Sequence, residues 1–235
     1  KEGQQSFYPF ETKPSKLCIF EYIYFSRPDS VVGGKHVYSV RKEIGRVLAR
    51  ENTLKADIIV PVPDSGVASA IGFSEESGIP FEFGIIRNHY VGRTFIEPSD
   101  SVRNLGVKLK HNANAHTIKG KRVILIDDSL VRGTTSRKIV ELVRAAGAAE
   151  VHLCIASPPT INSCFYGVDT PERSQLLAAQ HNIDEMCKVI GADSLNYISL
   201  DGLYKSVSGA KKNSKGGNTY CDACFSGEYP IAVNS

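Results

Sequence analysis

The chain has 235 residues, of which 42% are hydrophobic, 23% are charged and none is tryptophan. A chain of this length and composition buries enough apolar surface to form one large domain, or a core with a peripheral subdomain, which excludes disorder of the whole chain. The 28 lysines and arginines against 25 acidic residues leave a net charge of +3, too small to predict nucleic-acid binding.

The amino-terminal segment lacks a signal-peptide pattern, and no apolar run approaches the roughly 18 residues that a membrane span needs. We therefore expect a cytoplasmic protein without a membrane partner. The only methionine is Met186, so we expect that Lys1 is not a translation start and that a preceding segment is missing.

Apolar runs alternate with helical patterns along the middle of the chain. An amphipathic helix is predicted over Val37–Glu51, with Arg41 on its polar face. Strands are predicted at 57–63, 81–87, 123–126 and, as the last strand, 150–156, and helices at 66–72 and 134–148, the second closed by Gly147. This alternation favours an α/β fold in which helices cover both faces of a parallel sheet.

The carboxy-terminal part has a different pattern. Residues 171–188 and 192–207 are predicted to form short helices, and the Ser-, Gly- and Lys-rich run 208–218 a flexible loop. We therefore divide the chain into a core, 1–170, and a helical extension, 171–235, that ends in a Cys-x-x-Cys pair.

The run from Val123 to Thr135 carries the most informative chemistry. Four β-favouring residues deliver Asp127 and Asp128 to the carboxyl end of a strand, where open α/β sheets bind ligands. The turn that follows can aim backbone N–H groups, hydroxyls and a helix dipole at one phosphate monoester, through Ser129, Arg132, Gly133, Thr134 and Thr135.

Carboxylates cannot cradle a phosphate, so the two acids are expected to accept hydrogen bonds from a sugar diol or to help hold Mg²⁺. A diol beside a phosphate predicts a ribose 5-phosphate. The alternative is a surface turn that happens to carry two acids. No Gly-Lys-Ser/Thr sequence follows a glycine-rich run, so the motif is not a Walker loop.

This run resembles the phosphoribosyl pyrophosphate signature of the type I phosphoribosyltransferases. The resemblance rests on the order of the strand, both acids, Gly133, the Thr pair and the helix. The resemblance implies that fold, with a small hood formed by the amino-terminal segment. It also implies phosphoribosyl pyrophosphate as the substrate and Mg²⁺ as a cofactor.

A second predicted turn supports the same substrate. Asp64, Ser65 and Gly66 follow another predicted strand, and their N–H groups could bind a second anion such as a pyrophosphate. The resemblance implies that these three residues form the pyrophosphate loop. It also implies that Ser65 joins Asp127 and Asp128 around Mg²⁺.

The segment from Arg87 to Pro98, followed by Arg103, Lys108 and Lys110, is basic and aromatic and contains a glycine. Such a run is usually a solvated loop. Its place just after a predicted strand suggests a lid that would shield a water-sensitive cation.

Four separated blocks, at 20–30, 87–96, 127–135 and 164–169, resemble the amidophosphoribosyltransferase family. The family implies that ammonia from glutamine displaces pyrophosphate to give 5-phosphoribosylamine, the first step of de novo purine synthesis. It implies a homotetramer, an amino-terminal glutaminase domain that this chain does not contain, and AMP or GMP as feedback inhibitors at Asp127, Asp128 and the turn 132–135. Asp127, Asp128, Tyr90 and Arg93 become the catalytic set, with Tyr90 and Arg93 lining the ammonia path.

The chain has six cysteines, and Cys221-Asp-Ala-Cys224 alone could serve zinc, redox or cluster chemistry, or nothing. Family members with a [4Fe–4S] cluster use a set that maps onto Cys18, Cys164, Cys221 and Cys224. Zinc is the nearest competitor for that site. Cys154 and Cys187, in a predicted strand and a predicted helix, become structural thiols.

Two other functions remain open. One is a phosphoribosyltransferase that uses a purine or pyrimidine base, although no base-recognition element is evident. The other is a regulator that keeps the fold only to sense phosphoribosyl pyrophosphate or nucleotides, although no helix-turn-helix or concentrated basic face is evident. Turnover with ammonia separates an enzyme from a sensor.

Overall fold

The computed structural model describes residues 6–7, 13–88, 111–214 and 219–231. Its strands are β1 (Leu17–Cys18), β2 (Val31–Val32), β3 (Lys35–His36), β4 (Ile58–Pro61), β5 (Ile85–Arg87), β6 (His111–Ala113), β7 (Arg122–Asp127), β8 (Glu150–Ile155), β9 (Ser194–Tyr197) and β10 (Tyr220–Cys221). Its α-helices are α1 (Val37–Glu51), α2 (Val67–Ser77), α3 (Ala115–Ile118), α4 (Thr134–Ala145), α5 (Leu177–Gln180), α6 (Ile183–Ile190), α7 (Leu200–Ser208) and α8 (Ala223–Ser226). A π-helical turn spans Glu21–Phe25, and a 3-10 turn spans Arg173–Gln175.

The centre of the fold is a parallel sheet in the strand order β4, β7, β8, β9. Alternate residues of β7 enter opposite cores, with Ile124 and Ile126 facing α1, α2 and α7, and Val123 and Leu125 facing α4 and α6. Because both faces are covered, the strands are nearly continuous apolar runs. The predicted α/β architecture is confirmed.

The carboxy-terminal extension supplies the fourth strand of this sheet. Residues 192–207 were predicted to be helical, and this was wrong for Ser194–Tyr197, which pairs in parallel with β8. Residues 150–156 are therefore not the last strand. The four residues are too few to show a period, and their extended form comes from pairing with the open edge of β8, which also buries Leu195. The helix begins only at α7, where the Ser199 side chain accepts a hydrogen bond from Gly202 N.

The strand predicted at 81–87 has a different partner from the other strands. Only Ile85–Arg87 is regular, and it pairs antiparallel with β6 outside the parallel sheet. Phe81 keeps a single bridge to Ile59 at the edge of β4. The chain leaves the main sheet after this bridge. The apolar run therefore predicted that a strand forms here, but it did not predict which strand it pairs with.

Two predicted helices are confirmed. The helix α1 has the predicted bounds, and α4 begins at Thr134 as predicted. The latter ends at Ala145, three residues earlier than predicted, and Gly147 follows with φ of +92°. None of the helices in the described ranges is long and apolar enough to cross a membrane.

The crossing of α1 and α2 depends on two glycines. A Cβ atom on Gly72 would lie 1.9 Å from the Lys42 carbonyl oxygen, and one on Gly45 would lie 1.9 Å from the Ser69 carbonyl oxygen. Both neighbours are backbone atoms of the facing helix, so the two helices approach at a distance that no larger residue permits.

We expect Gly72→Ala to lower the free energy of unfolding by about 2 kcal/mol or more, because α1 and α2 must separate to admit the methyl group. Urea unfolding at an unchanged m-value measures this. The control, Glu76→Ala, changes an exposed position of the same helix and should have a much smaller effect. Equal stability of the two variants would contradict the close-packing argument.

The two ends of the chain meet beside the core. The strand β1 pairs in parallel with β10, with Leu17 opposite Tyr220 and Cys18 opposite Cys221. The rings of Phe20 and Phe225 stack with their centroids 5.8 Å apart. This pairing brings cysteines that are some 200 positions apart in sequence to one place.

Candidate active site

The two acids of the predicted motif lie at the carboxyl end of β7, each only 7% exposed. Burial, and next the adjacent charge of Asp128, raises the pKa of Asp127 well above its usual range. Burial also raises the pKa of Asp128, although the Ser129 hydroxyl, the nearby Ser65 hydroxyl and the charge of Arg41 oppose the rise. Both shifts favour the protonated carboxyl groups, and a cation or hydrogen-bond donor at the pair would oppose the shifts.

The turn after the acids leads directly into α4. The Ser129 hydroxyl donates a hydrogen bond to the Asp128 carboxylate, and Asp128 N donates to Asp127 Oδ1 at 2.9 Å. Gly133, the N-cap residue, has φ of +77°, which glycine adopts readily. Thr134 and Thr135 are exposed in the first turn of α4, so their hydroxyls and the amino end of the helix are accessible to an anion.

The second predicted motif lies beside the first. Asp64, Ser65 and Gly66 connect β4 to α2, and the peptide bond between Pro63 and Asp64 is cis. A Cβ atom on Gly66 would lie 2.2 Å from the Ile126 carbonyl oxygen, so this loop packs directly on the end of β7. Ser65 also lies close enough to Asp128 to lower the pKa of that carboxyl group. The structure thus brings the two turns together at one end of the sheet.

Arg87, at the end of β5, forms an ion pair with Asp64. The guanidinium and the exposed Asp64 carboxylate therefore stand at the rim of the loop. Tyr90 and Arg93, together with the rest of the predicted lid up to Lys110, lie outside the described residues. Arg132 is exposed and donates a hydrogen bond to Gln175 at 2.9 Å.

Sequence reasoning missed Arg41. It was assigned to the polar face of α1, and this was wrong, because Arg41 is 3% exposed. Its Nε donates to the Tyr22 carbonyl oxygen at 2.9 Å and its Nη2 to that of Ser26 at 2.8 Å. Burial lowers the pKa of this guanidinium, and the charge of Asp128 opposes the shift. The spacing of Arg41 from Val37 and Ile44 on one helical stripe was the available signal.

The four cysteines predicted as cluster ligands line one largely apolar cavity of about 50 Å³. All four are free thiols. Burial, and then the proximity of Cys221 and Cys164, raises the pKa of Cys18 to about 11, and burial followed by the other three thiols raises the pKa of Cys224 further. Cys154, buried in β8, and Cys187, in α6, lie elsewhere, as predicted.

Across the described ranges, no three histidine, cysteine, aspartate or glutamate side chains form a group that could hold a metal ion. The four thiols therefore surround a common space without converging on one point. At the acid pair, the protein side chains offered to a cation are two carboxylates and the Ser65 hydroxyl.

Comparison with known proteins identifies the family of this chain. A family model described as the phosphoribosyl transferase domain matches residues 37–158, which include both turns and the acid pair. The chain belongs to the phosphoribosyltransferase family. The type I fold expected from the signature is confirmed.

Curated relatives match this chain over almost its whole length. It is 56% identical to an amidophosphoribosyltransferase of Rhizobium etli over 226 residues, 96% of this chain and 45% of the relative. It is 47% identical to an Archaeoglobus fulgidus protein of the same name over 99% of this chain and 50% of the relative. The chain thus spans about half the length of the curated relatives it matches.

A solved structure is similar as well. The glutamine phosphoribosylpyrophosphate amidotransferase of B. subtilis, complexed with ADP and GMP, superimposes with a TM-score of 0.84 at 48% identity. The match covers 94% of this chain and 48% of that one. The resemblance to the amidophosphoribosyltransferases is confirmed at the level of sequence and fold.

Proposed function

We propose that this chain is the phosphoribosyltransferase part of an amidophosphoribosyltransferase. Ammonia displaces pyrophosphate from phosphoribosyl pyrophosphate and gives 5-phosphoribosylamine, the first step of purine synthesis. In the complete enzyme, a glutaminase domain supplies the ammonia from glutamine. The observation that supports this most strongly is the close packing of the loop at Gly66 against the carboxyl end of β7, which brings the two anion-binding turns together.

Each turn takes one end of the substrate. The turn formed by Ser129, Arg132, Gly133, Thr134 and Thr135 binds the 5-phosphate, because the open amino end of α4 favours an anion. The loop formed by Asp64, Ser65 and Gly66 binds the pyrophosphate. Between them, Asp127 and Asp128 accept hydrogen bonds from the ribose hydroxyls, and their negative charge stabilises the cationic sugar carbon that forms as pyrophosphate leaves.

Magnesium fits the same place. Ser65, Asp127 and Asp128 offer oxygen ligands, and Mg²⁺ usually takes one or two carboxylates and completes its shell with water and substrate phosphates. When bound, the ion neutralises the leaving pyrophosphate. Because Mg²⁺ favours the ionised carboxylate, its binding is expected to lower the raised pKa of Asp127.

Tyr90 and Arg93 complete the proposed catalytic set. We assign them to a lid that excludes water from the cationic sugar and borders the ammonia path. The assignment rests on the family blocks and on the position of Arg87, the described residue from which the segment continues.

Purine nucleoside monophosphates are proposed as feedback inhibitors. AMP and GMP carry a ribose 5-phosphate, which suits Asp127, Asp128 and the turn 132–135. The similar B. subtilis enzyme is complexed with ADP and GMP, which supports nucleotide binding. A homotetramer is proposed from the family.

A [4Fe–4S] cluster is proposed at Cys18, Cys164, Cys221 and Cys224. One zinc ion requires thiolates that converge on a single atom, an arrangement that the described residues do not offer. A cluster takes one thiolate at each of four irons, so its ligands surround a larger body. The shared cavity supports the cluster, which would tie both ends of the chain to the core.

We expect Cys224→Ser to lose most of the iron and acid-labile sulfide after anaerobic reconstitution, because one of the four thiolates is gone. Cys187→Ser is the matched control, since that thiol lies in α6, and it should keep the iron content of the unaltered chain. Iron and sulfide analysis measures both. Equal iron content in the two variants would contradict the assigned ligand set.

The test of the proposed function is pyrophosphate release from phosphoribosyl pyrophosphate and Mg²⁺, with ammonium chloride or glutamine offered separately. Release with ammonia and none with glutamine is expected, because no glutaminase active site has been assigned to this chain. A chain that binds phosphoribosyl pyrophosphate but releases no pyrophosphate with ammonia would contradict the transferase and favour a sensor.

A further inference from the structure

The cysteine cavity holds an unused hydrogen-bond donor. Thr160 lines this cavity together with the four thiols. The residue is 2% exposed, and its Oγ1 has no hydrogen-bond partner among the described residues. A buried hydroxyl without a partner is costly, so its presence in a native cavity calls for a ligand atom that it can reach.

The backbone around Thr160 is fixed to the cysteine loop. The N–H groups of Ile161 and Asn162 both donate to the Cys224 carbonyl oxygen, each at 3.0 Å. On the other side, Cys164 N donates to Thr170 Oγ1 at 2.7 Å. The first two bonds fix the residues that follow Thr160 against Cys224, and the Thr160 side chain itself lines the cavity.

The two phenolic groups around the cavity already have hydrogen-bond partners. The Tyr166 hydroxyl donates to the Ile231 carbonyl oxygen at 2.8 Å, and the Tyr229 hydroxyl donates to that of Ser163 at 2.6 Å. The remaining lining is mostly aliphatic or aromatic. In such surroundings a hydrogen bond from an O–H group to a charged sulfur is little screened by solvent.

We propose that the Thr160 hydroxyl donates a hydrogen bond to a sulfur atom of the iron–sulfur cluster held by Cys18, Cys164, Cys221 and Cys224. This rests on the cluster assigned under the proposed function. The bond stabilises negative charge on the cluster sulfurs and slows release of the cluster. Thr160 is therefore a positioning residue for the cluster and takes no part in phosphoribosyl transfer.

The test compares Thr160→Val, which removes the donor at nearly equal volume, with Thr160→Ser, which keeps it. Each protein is reconstituted anaerobically with ferrous iron and sulfide. Loss of the visible cluster absorbance to excess iron chelator should be roughly fivefold faster in Thr160→Val, the factor that corresponds to one hydrogen bond. Thr160→Ser should remain within about twofold of the unaltered chain.

A second readout begins with the unaltered chain. The iron–sulfur stretching bands in the resonance Raman spectrum should shift between H₂O and D₂O in the unaltered chain, because the hydroxyl proton exchanges. The isotope shift attributable to Thr160 should be absent in Thr160→Val and present in Thr160→Ser.

Two results would overturn the proposal. One is an unaltered cluster lifetime together with an unaltered isotope shift in Thr160→Val, which would leave the side chain a packing role only. The other is a chain that retains no iron and sulfide, which would remove the cluster and the bond together. Neither result would contradict the proposed transferase activity, because ammonia-dependent pyrophosphate release is measured independently.

Discussion

Asp127→Asn is expected to lower kcat/KM for ammonia-dependent pyrophosphate release by a factor of about 100 or more and, at the same time, to stabilise the unliganded fold. The activity falls because the amide cannot supply negative charge to the sugar cation or to Mg²⁺. The fold gains stability because a buried carboxylate next to Asp128 is removed.

The stabilisation expected for Asp127→Asn depends on pH. The pKa of Asp127 is raised in the folded state, so between the unfolded value and the folded value the native protein binds more protons than the unfolded chain. The contribution of Asp127 to stability is therefore fully present below the ordinary aspartate pKa of 3.8 and is lost as pH rises through the folded pKa. In Asp127→Asn this part of the loss should vanish.

Thermal unfolding across this pH range, in both proteins and without Mg²⁺, measures the difference. Glu141→Gln, an exposed carboxylate in the middle of α4, is the control and should follow the unaltered chain in both activity and pH profile. Parallel pH profiles for Asp127→Asn and the unaltered chain, or activity retained within tenfold, would contradict the buried acid pair as the catalytic centre.

Arg41→Gln is expected to lower the free energy of unfolding by about 3 kcal/mol. The shorter amide cannot reach both the Tyr22 and the Ser26 carbonyl oxygens, which leaves buried acceptors unpaired. It also removes the positive charge that favours ionised Asp128. The pKa of Asp128 should rise further, and pyrophosphate release should fall most at lower pH.

Urea unfolding and the pH profile of kcat/KM test this prediction together. Arg50→Gln on the exposed part of the same helix is the matched control and should change neither. Arg41→Lys keeps the charge, so it should restore the pH profile more than the stability. A variant Arg41→Gln as stable as the control would show that the guanidinium does not anchor the amino-terminal turn.

The two turns of the site could be predicted from the sequence because the residues of each turn lie in one short segment of the chain. Asp127, Asp128 and Gly133 lie within seven consecutive residues, and the strand that precedes them and the helix that follows fix their positions. The loop at Asp64–Gly66 is equally local. That the two turns meet follows from the parallel pairing of β4 with β7, since carboxyl ends of parallel strands share one edge.

The remaining features depend on contacts between distant parts of the chain. Arg41 is buried because the turn at Glu21–Phe25 presents two carbonyl oxygens to it, and no pattern within α1 specifies that turn. Ser194–Tyr197 becomes a strand only because β8 leaves an edge open. Lys212, in the run predicted to be a flexible loop, is 6% exposed and lies 2.9 Å from Asp222 and from Glu228, a pairing that requires the folded carboxy-terminal segment.

The central claim is that the two turns bind opposite ends of one substrate, and a competition experiment by titration calorimetry tests it most directly. Ribose 5-phosphate and pyrophosphate, with Mg²⁺ present, should bind the chain at the same time. Phosphoribosyl pyrophosphate should displace both. If ribose 5-phosphate and pyrophosphate instead exclude each other, or if neither is displaced by phosphoribosyl pyrophosphate, the turns at 64–66 and 127–135 do not form one substrate site.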